Sequence, residues 1–257
     1  MKKNLVVIFL CLLLGDKAHA APIDTSIRGV EVYFNAGTTD AFPASWQTAP
    51  TNAASSPISK SEINRSKTVM VASLEKYPHG LLDLTLNAVY FFKDMSFFNV
   101  GFGGTNSTDA VYLTNDGETN GYTDFYLEQT FHHEYSSILF RDYPSYLDTN
   151  AWKKANIAGF DYNDPEAGVG AIRNNESSQG LDSLLCSKGF LTQYAYSSME
   201  NDINTIAQNL FVPEENFWTY ADKYPRIKQK VKLLIAFYGK LDKRFTETYF
   251  RKFDNGK

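Results

Sequence analysis

The chain has 257 residues, with 25 basic and 29 acidic side chains and a formal net charge of −4. No long basic run stands out, which argues against a nucleic-acid partner. Hydrophobic residues make up 43% of the chain, enough at this length for one sizeable core, and two cysteines are too few for a disulfide scaffold.

The first segment is Met1-Lys2-Lys3-Asn4, an apolar run from Leu5 to Leu14, and then Ala18-His19-Ala20. A basic start, a short apolar core and a small-x-small site predict a secretory signal peptide cleaved after Ala20. The run is too short to span a bilayer. Cys11 lacks the small residues that a lipid-anchoring signal places before it, so the expected product is secreted or periplasmic, with no stable membrane insertion. Cleavage removes three lysines and one aspartate, leaving 22 basic and 28 acidic groups. Residues 21–257 are then expected to form a single domain. Their one cysteine, Cys186, reads as a small buried apolar residue. Their histidines are His79, His132 and His133.

In chain order, Val30, Val32 and Phe34 alternate with Gly29, Glu31 and Tyr33 and predict a half-buried strand over 28–34. Residues 36–58, rich in Thr, Ala, Ser and Pro, read as a surface loop. Ser59 and Glu62 have capping-box spacing ahead of Ile63, Val69, Met70 and Leu74, predicting a helix to about Tyr77. Pro78-His79-Gly80 breaks it. Strands are expected over Leu84–Phe92 and Ala110–Leu113, with the turn Gly101-Phe102-Gly103-Gly104 between them. That turn is followed by no Lys-Ser/Thr and is not a phosphate loop. A helix is expected from Thr123 to Arg141, a short one around Trp152, and a polar loop from Asn163 to Gln179. Further helices are expected from Met199 to before Pro213 and across Ile227, Val231, Leu234, Ile235 and Tyr238.

The chemistry concentrates in Phe131-His132-His133-Glu134-Tyr135-Ser136-Ser137. In an H-E-x-x-H helix, two histidines four residues apart hold zinc, and the glutamate between them acts on a bound water. Here His133 and Glu134 take the first two places and Ser137 stands at the second histidine. Leu127, Phe131, Glu134 and Ile138 share one helical face, and Tyr126, Thr130, His133 and Ser137 line the next. Glu134 therefore interrupts an apolar stripe and needs a partner.

The order of segments resembles a zincin-like group of zinc-binding metallopeptidases among exported bacterial proteins. The resemblance runs through Gly103-Gly104-Thr105, His132-His133-Glu134 and Phe160-Asp161-Tyr162 after Trp152. It continues with Gly189-Phe190-Leu191-Thr192-Gln193-Tyr194-Ala195, followed by Asn201-Asp202-Ile203, and spans roughly residues 80 to 240. It implies an α+β fold with a short mixed sheet beside the motif helix and a mostly helical C-terminal half. It also implies a zinc cofactor and a third ligand on the downstream helix. The chain departs from that pattern at Ser137 and Asn201, with Thr205 at the later acidic position.

On this reading the metal ligands are sought among His133, His132, Asp202 and Glu200, with His79 a further candidate. Glu134 would be the general base and Tyr194 the oxyanion donor. Adjacent histidines diverge by about 100° on a helix, so His132 and His133 cannot both grip one ion without distortion. His132 could instead pair with Glu128. The opposing expectation is a buried polar network around His133, Glu134 and Tyr194 in an accessory protein that binds peptide or glycan without zinc. Ser136 or Ser137 as a hydrolase nucleophile lacks the strand-turn-helix elbow. Two functions thus stand: an altered, inactive zinc site with a binding role, or a zinc peptidase with a non-standard ligand set.

Overall fold

A computed structural model describes residues 24–162 and 168–254, and the predicted signal peptide lies outside them. The fold opens with a hairpin, β1 (Thr25–Ile27) and β2 (Val30–Tyr33), turned at Arg28-Gly29, where both residues have positive φ. After the short α1 (Thr38–Ala41) comes β3 (Ala54–Pro57), a polar strand inside the predicted loop. Its four residues carry no apolar alternation, so only its antiparallel pairing with the next long strand makes it a strand.

The helix α2 (Lys60–Glu75) starts after Ser59 as expected, but the capping box is not made. The Ser59 hydroxyl accepts no cap hydrogen bond, and Glu62 instead pairs with Arg65 at 2.6 Å. Pro78 then begins a new helix, α3 (His79–Thr85), in place of a plain break. Leu81 and Leu82 turn inward while Leu84 stays 78% exposed, a helical division of the run that delays the predicted strand to Ala88.

That strand is β4 (Ala88–Phe97), followed by β5 (Val100–Gly101), β6 (Gly104–Asn106) and β7 (Ala110–Thr114). The sheet order is β1-β2-β4-β7-β6, with β2, β4 and β7 parallel and both edges antiparallel. Strand residues divide by period two. Val89, Phe91, Val111 and Leu113 enter the main core, while Phe92, Tyr112 and Tyr33 form a second core with Phe42 and Trp46. Tyr33, Tyr90 and Tyr112 lie in register on neighbouring strands and stack at 4.6 and 5.1 Å. Both faces are covered, which is why β4 reads as a nearly unbroken apolar run.

The long helix α4 (Asp124–Asp142) is capped by Thr123, whose hydroxyl accepts from the Tyr126 amide. It is followed by α5 (Thr149–Lys154), α6 (Gly168–Arg173), α7 (Ser183–Lys188), α8 (Met199–Phe211), α9 (Phe217–Lys223), α10 (Pro225–Leu241) and α11 (Glu247–Arg251). Within the predicted polar loop, α6 is a helix of mostly small residues, too short to show a period. The protein is thus a mixed α/β fold with a mixed sheet and helices filling the C-terminal half, in keeping with the α+β expectation. α4 lies between the sheet and α8. From Asp202 to Phe211, α8 is buried on every side, so its polar residues must find partners inside the protein.

The edge strand β6 crosses α4 closely at a glycine. A Cβ at Gly104 would stand 2.4 Å from Thr130 Cγ2 and 3.0 Å from Glu134 Oε1. Gly104→Ala is therefore expected to cost about 1–3 kcal/mol, with part recovered when Thr130→Ser removes the opposing methyl. Urea unfolding of the two single variants and the double measures this. Equal stability of Gly104→Ala and the parent would show that β6 is free to slide.

Candidate functional site

Three polar pairs join α4 to α8 in one antiparallel register. Gln129 Nε2 donates to the Val212 carbonyl at 2.9 Å, His133 Nδ1 meets Gln208 Oε1 at 2.8 Å, and Asn204 Nδ2 donates to Ser137 Oγ at 2.6 Å. Each pair advances four residues along α4 and retreats four along the α8 segment, which keeps all three on facing stripes. An amide oxygen only accepts, so His133 Nδ1 carries the proton and Nε2 is the ring's lone-pair nitrogen. Burial lowers the His133 pKa, against the opposing pull of Gln208, Glu200 and Asn201, so the ring is held towards its neutral form.

Glu134, one residue on, meets the sheet. Its Oε2 accepts from Asn106 Nδ2 at 2.7 Å, and Arg141 Nη2 in turn donates to Asn106 Oδ1 at 2.8 Å and to the Ser107 carbonyl at 2.5 Å. Arg141 thereby fixes which end of the Asn106 amide faces Glu134. Burial pushes the Glu134 carboxyl up to about 7, with the Glu200 charge adding to the rise and Asn106 and Arg141 opposing it. Tyr194 stacks beside His133 with ring centroids 6.0 Å apart. Burial, reinforced by the charges of Glu134 and Glu200, raises its pKa, so its hydroxyl stays protonated.

His133, Glu134, Tyr194 and Gln208 line one cleft of about 340 Å³ with Gly103, Gly104 and Tyr126. Of the expected site residues, the fold therefore brings His133, Glu134 and Tyr194 together. Glu200 is exposed on the first turn of α8, close enough for its charge to act on all three. Asn201 lies beside both His133 and Tyr194.

His132 and Asp202 are placed elsewhere, a correction to the expected ligand set. The ring of His132 is fully buried, its Nδ1 2.8 Å from Tyr77 Oη and its face stacked on Phe211 at 4.6 Å. Burial takes its pKa down to about 4. The expected partner Glu128 stands 3.9 Å from Nε2, with Lys76 closer to that carboxylate at 2.8 Å. Asp202 is fully buried, and its Oδ2 takes Lys230 Nζ at 2.5 Å, Trp152 Nε1 at 2.8 Å and Tyr162 Oη at 2.5 Å. Lys230 also donates to the Gly189 carbonyl at 2.5 Å. Trp152, Tyr162, Gly189 and Asp202, all within the segments of the resemblance, thus converge on a buried ion pair. The cause is helical phase: one residue beyond Asn201 turns the side chain about 100° away from His133. His79 is exposed on α3 and pairs with Asp83 at 2.6 Å.

Zinc in a structural or catalytic site takes at least three protein donors from His, Cys, Asp and Glu. Among the described residues no three such side chains gather at one point. Around His133 the neighbours are the amides of Gln208 and Asn201, and the second-histidine position is a serine tied to Asn204. This donor set does not fit zinc. Gln208 and Asn106 carry no motif of their own, but Asn201, Asn204 and Gln208 share one face of α8. Such a stripe of amides marks a buried polar interface. Compared with known proteins, the chain matches no family model, no curated protein and no solved structure.

Proposed function

We propose that this is an exported, zincin-like protein of metallopeptidase ancestry that binds peptide in its cleft and lacks a working zinc site. The observation that carries this reading is the amide ladder between α4 and α8. The two positions where a peptidase would need further ligands, Ser137 and the α8 face, are spent on Asn204 and Gln208. A mixed sheet with an antiparallel edge strand beside the His133–Glu134 helix supports the zincin-like assignment. Retention of His133, Glu134 and Tyr194 in a single cleft supports a binding role for the remnant.

Mature protein purified without a histidine tag, loaded with zinc and dialysed, is expected to hold far less than one zinc per chain by elemental analysis. His133→Ala should leave that residual unchanged, and a mixed peptide digest incubated with zinc and the protein should stay uncleaved. One zinc per chain, lost in His133→Ala, would overturn the reading and restore the zinc peptidase.

A further inference from the structure

We propose that the cleft takes its peptide by a primary ammonium group, held at Glu134 with Glu200 at the rim. This rests on the peptide-binding reading above and adds what part of the peptide is recognised.

Glu134 and Gln179 bring acceptors to the cleft. Glu134 spends Oε2 on Asn106, and its carboxylate still has acceptor capacity towards the cleft. Gln179 also lines the cleft, and its Oε1 is buried with no hydrogen-bond partner. His133 adds none, being hydrogen-bonded to both Gln208 and Asn201. Tyr126 and Tyr194 are hydrogen-bonded to Thr130 and Asn201. A buried acceptor without a donor is costly, so the cleft is complementary to a group rich in N–H. An ammonium carries three such donors.

Charge selects in the same direction. Glu134 and Glu200 are the acidic groups acting at the site, and their mutual repulsion is relieved by a cation between them. Arg141 donates through Nη2 to Asn106 and Ser107, and Arg173, next to the cleft-lining Ile172, donates to the Phe98 carbonyl at 3.3 Å. A peptide carboxylate would meet the charges of Glu134 and Glu200.

The shape fits an end or a side chain better than a chain running through. α6 spans from Tyr194 to β5: a Cβ at Gly168 would stand 2.2 Å from Tyr194 Oη, while Ile172 lines the cleft with Gly101 and Phe102. At about 340 Å³ the space is at the small end for a ligand pocket.

The test uses three libraries of tripeptide amides in the presence of a chelator: a free amino terminus without lysine, an acetylated terminus with one lysine, and an acetylated terminus without lysine. Binding is read by ultrafiltration and mass spectrometry. The first or second library is expected to bind at least tenfold more tightly than the third, and which of the two binds tells a terminal from a side-chain amine. Glu134→Gln, nearly the same shape, should lose that preference at least tenfold while keeping its circular-dichroism spectrum. Glu200→Gln should lose less. Equal binding of all three libraries would overturn the ammonium proposal and leave peptide binding standing. No binding of any library would overturn both.

Discussion

Asp202→Ala is expected to lower the unfolding free energy by about 3–5 kcal/mol, because it strands the Lys230 ammonium in the interior. Both side chains are fully buried. Burial raises the Asp202 pKa and lowers that of Lys230, while their mutual attraction opposes both shifts. In the variant, Lys230 keeps only the Gly189 carbonyl and the ring faces of Phe190 and Trp152. Lys230→Met has a different signature. The stranded group is then a carboxylate that can protonate, with Trp152 and Tyr162 still donating to it. Without the lysine its folded pKa rises further above the unfolded value, so the deficit should be small in acid and grow as pH rises. The double variant Asp202→Leu with Lys230→Met removes both charges and should recover most of the loss. Urea unfolding of all three gives the coupling energy directly. A double variant no better than Asp202→Ala would show that the aromatic pocket requires the ion pair for its shape.

The same carboxylate shows where sequence reading stopped. The motif helix, its start near Thr123 and the meeting of His133, Glu134 and Tyr194 are legible because each depends on local spacing or on the order of segments. Whether Asp202 or Glu200 faces His133 depends on the rotational phase of α8, and that phase is fixed by packing. Buried acids gave no sequence signal of their own, because the cation that pairs with Asp202 comes from Lys230, 28 residues away on α10. β3 was hidden for a related reason: a strand of Ala-Ser-Ser-Pro exists only because β4 offers it an edge. α3 is hidden because Pro78-His79-Gly80 reads as a break, and Leu84 and Leu86 alternate with Thr85 as the start of a strand would. The pair Gly103-Gly104 reads as loop geometry, whereas Gly104 opens β6 and is where the sheet edge rests on Thr130 and Glu134.

Glu134→Gln is expected to stabilise the protein above neutral pH, the reverse of its expected effect on binding. An unfolded glutamate titrates near 4.5, whereas burial holds this one up to about 7. Between those values the folded state keeps a proton that the unfolded state has released. Stability is therefore fully present below about pH 4.5 and falls as pH rises through about 7. The difference amounts to roughly 3 kcal/mol once titration is complete. Glutamine keeps the acceptor for Asn106 and removes the charge, so parent and variant should match near pH 5. At pH 8 the variant should melt roughly 6–12 °C higher, taking the usual conversion for a domain of this size. Burial sets the sign; among the groups facing the carboxyl, Glu200 strengthens the effect, while Asn106 and Arg141 weaken it. A variant less stable than the parent at pH 8 would mean that the Arg141–Asn106 relay holds Glu134 as a satisfied structural carboxylate. A more stable one would mark Glu134 as a charge kept at a cost to the fold. Such a cost is expected where a side chain is retained for what it binds and contributes nothing to packing.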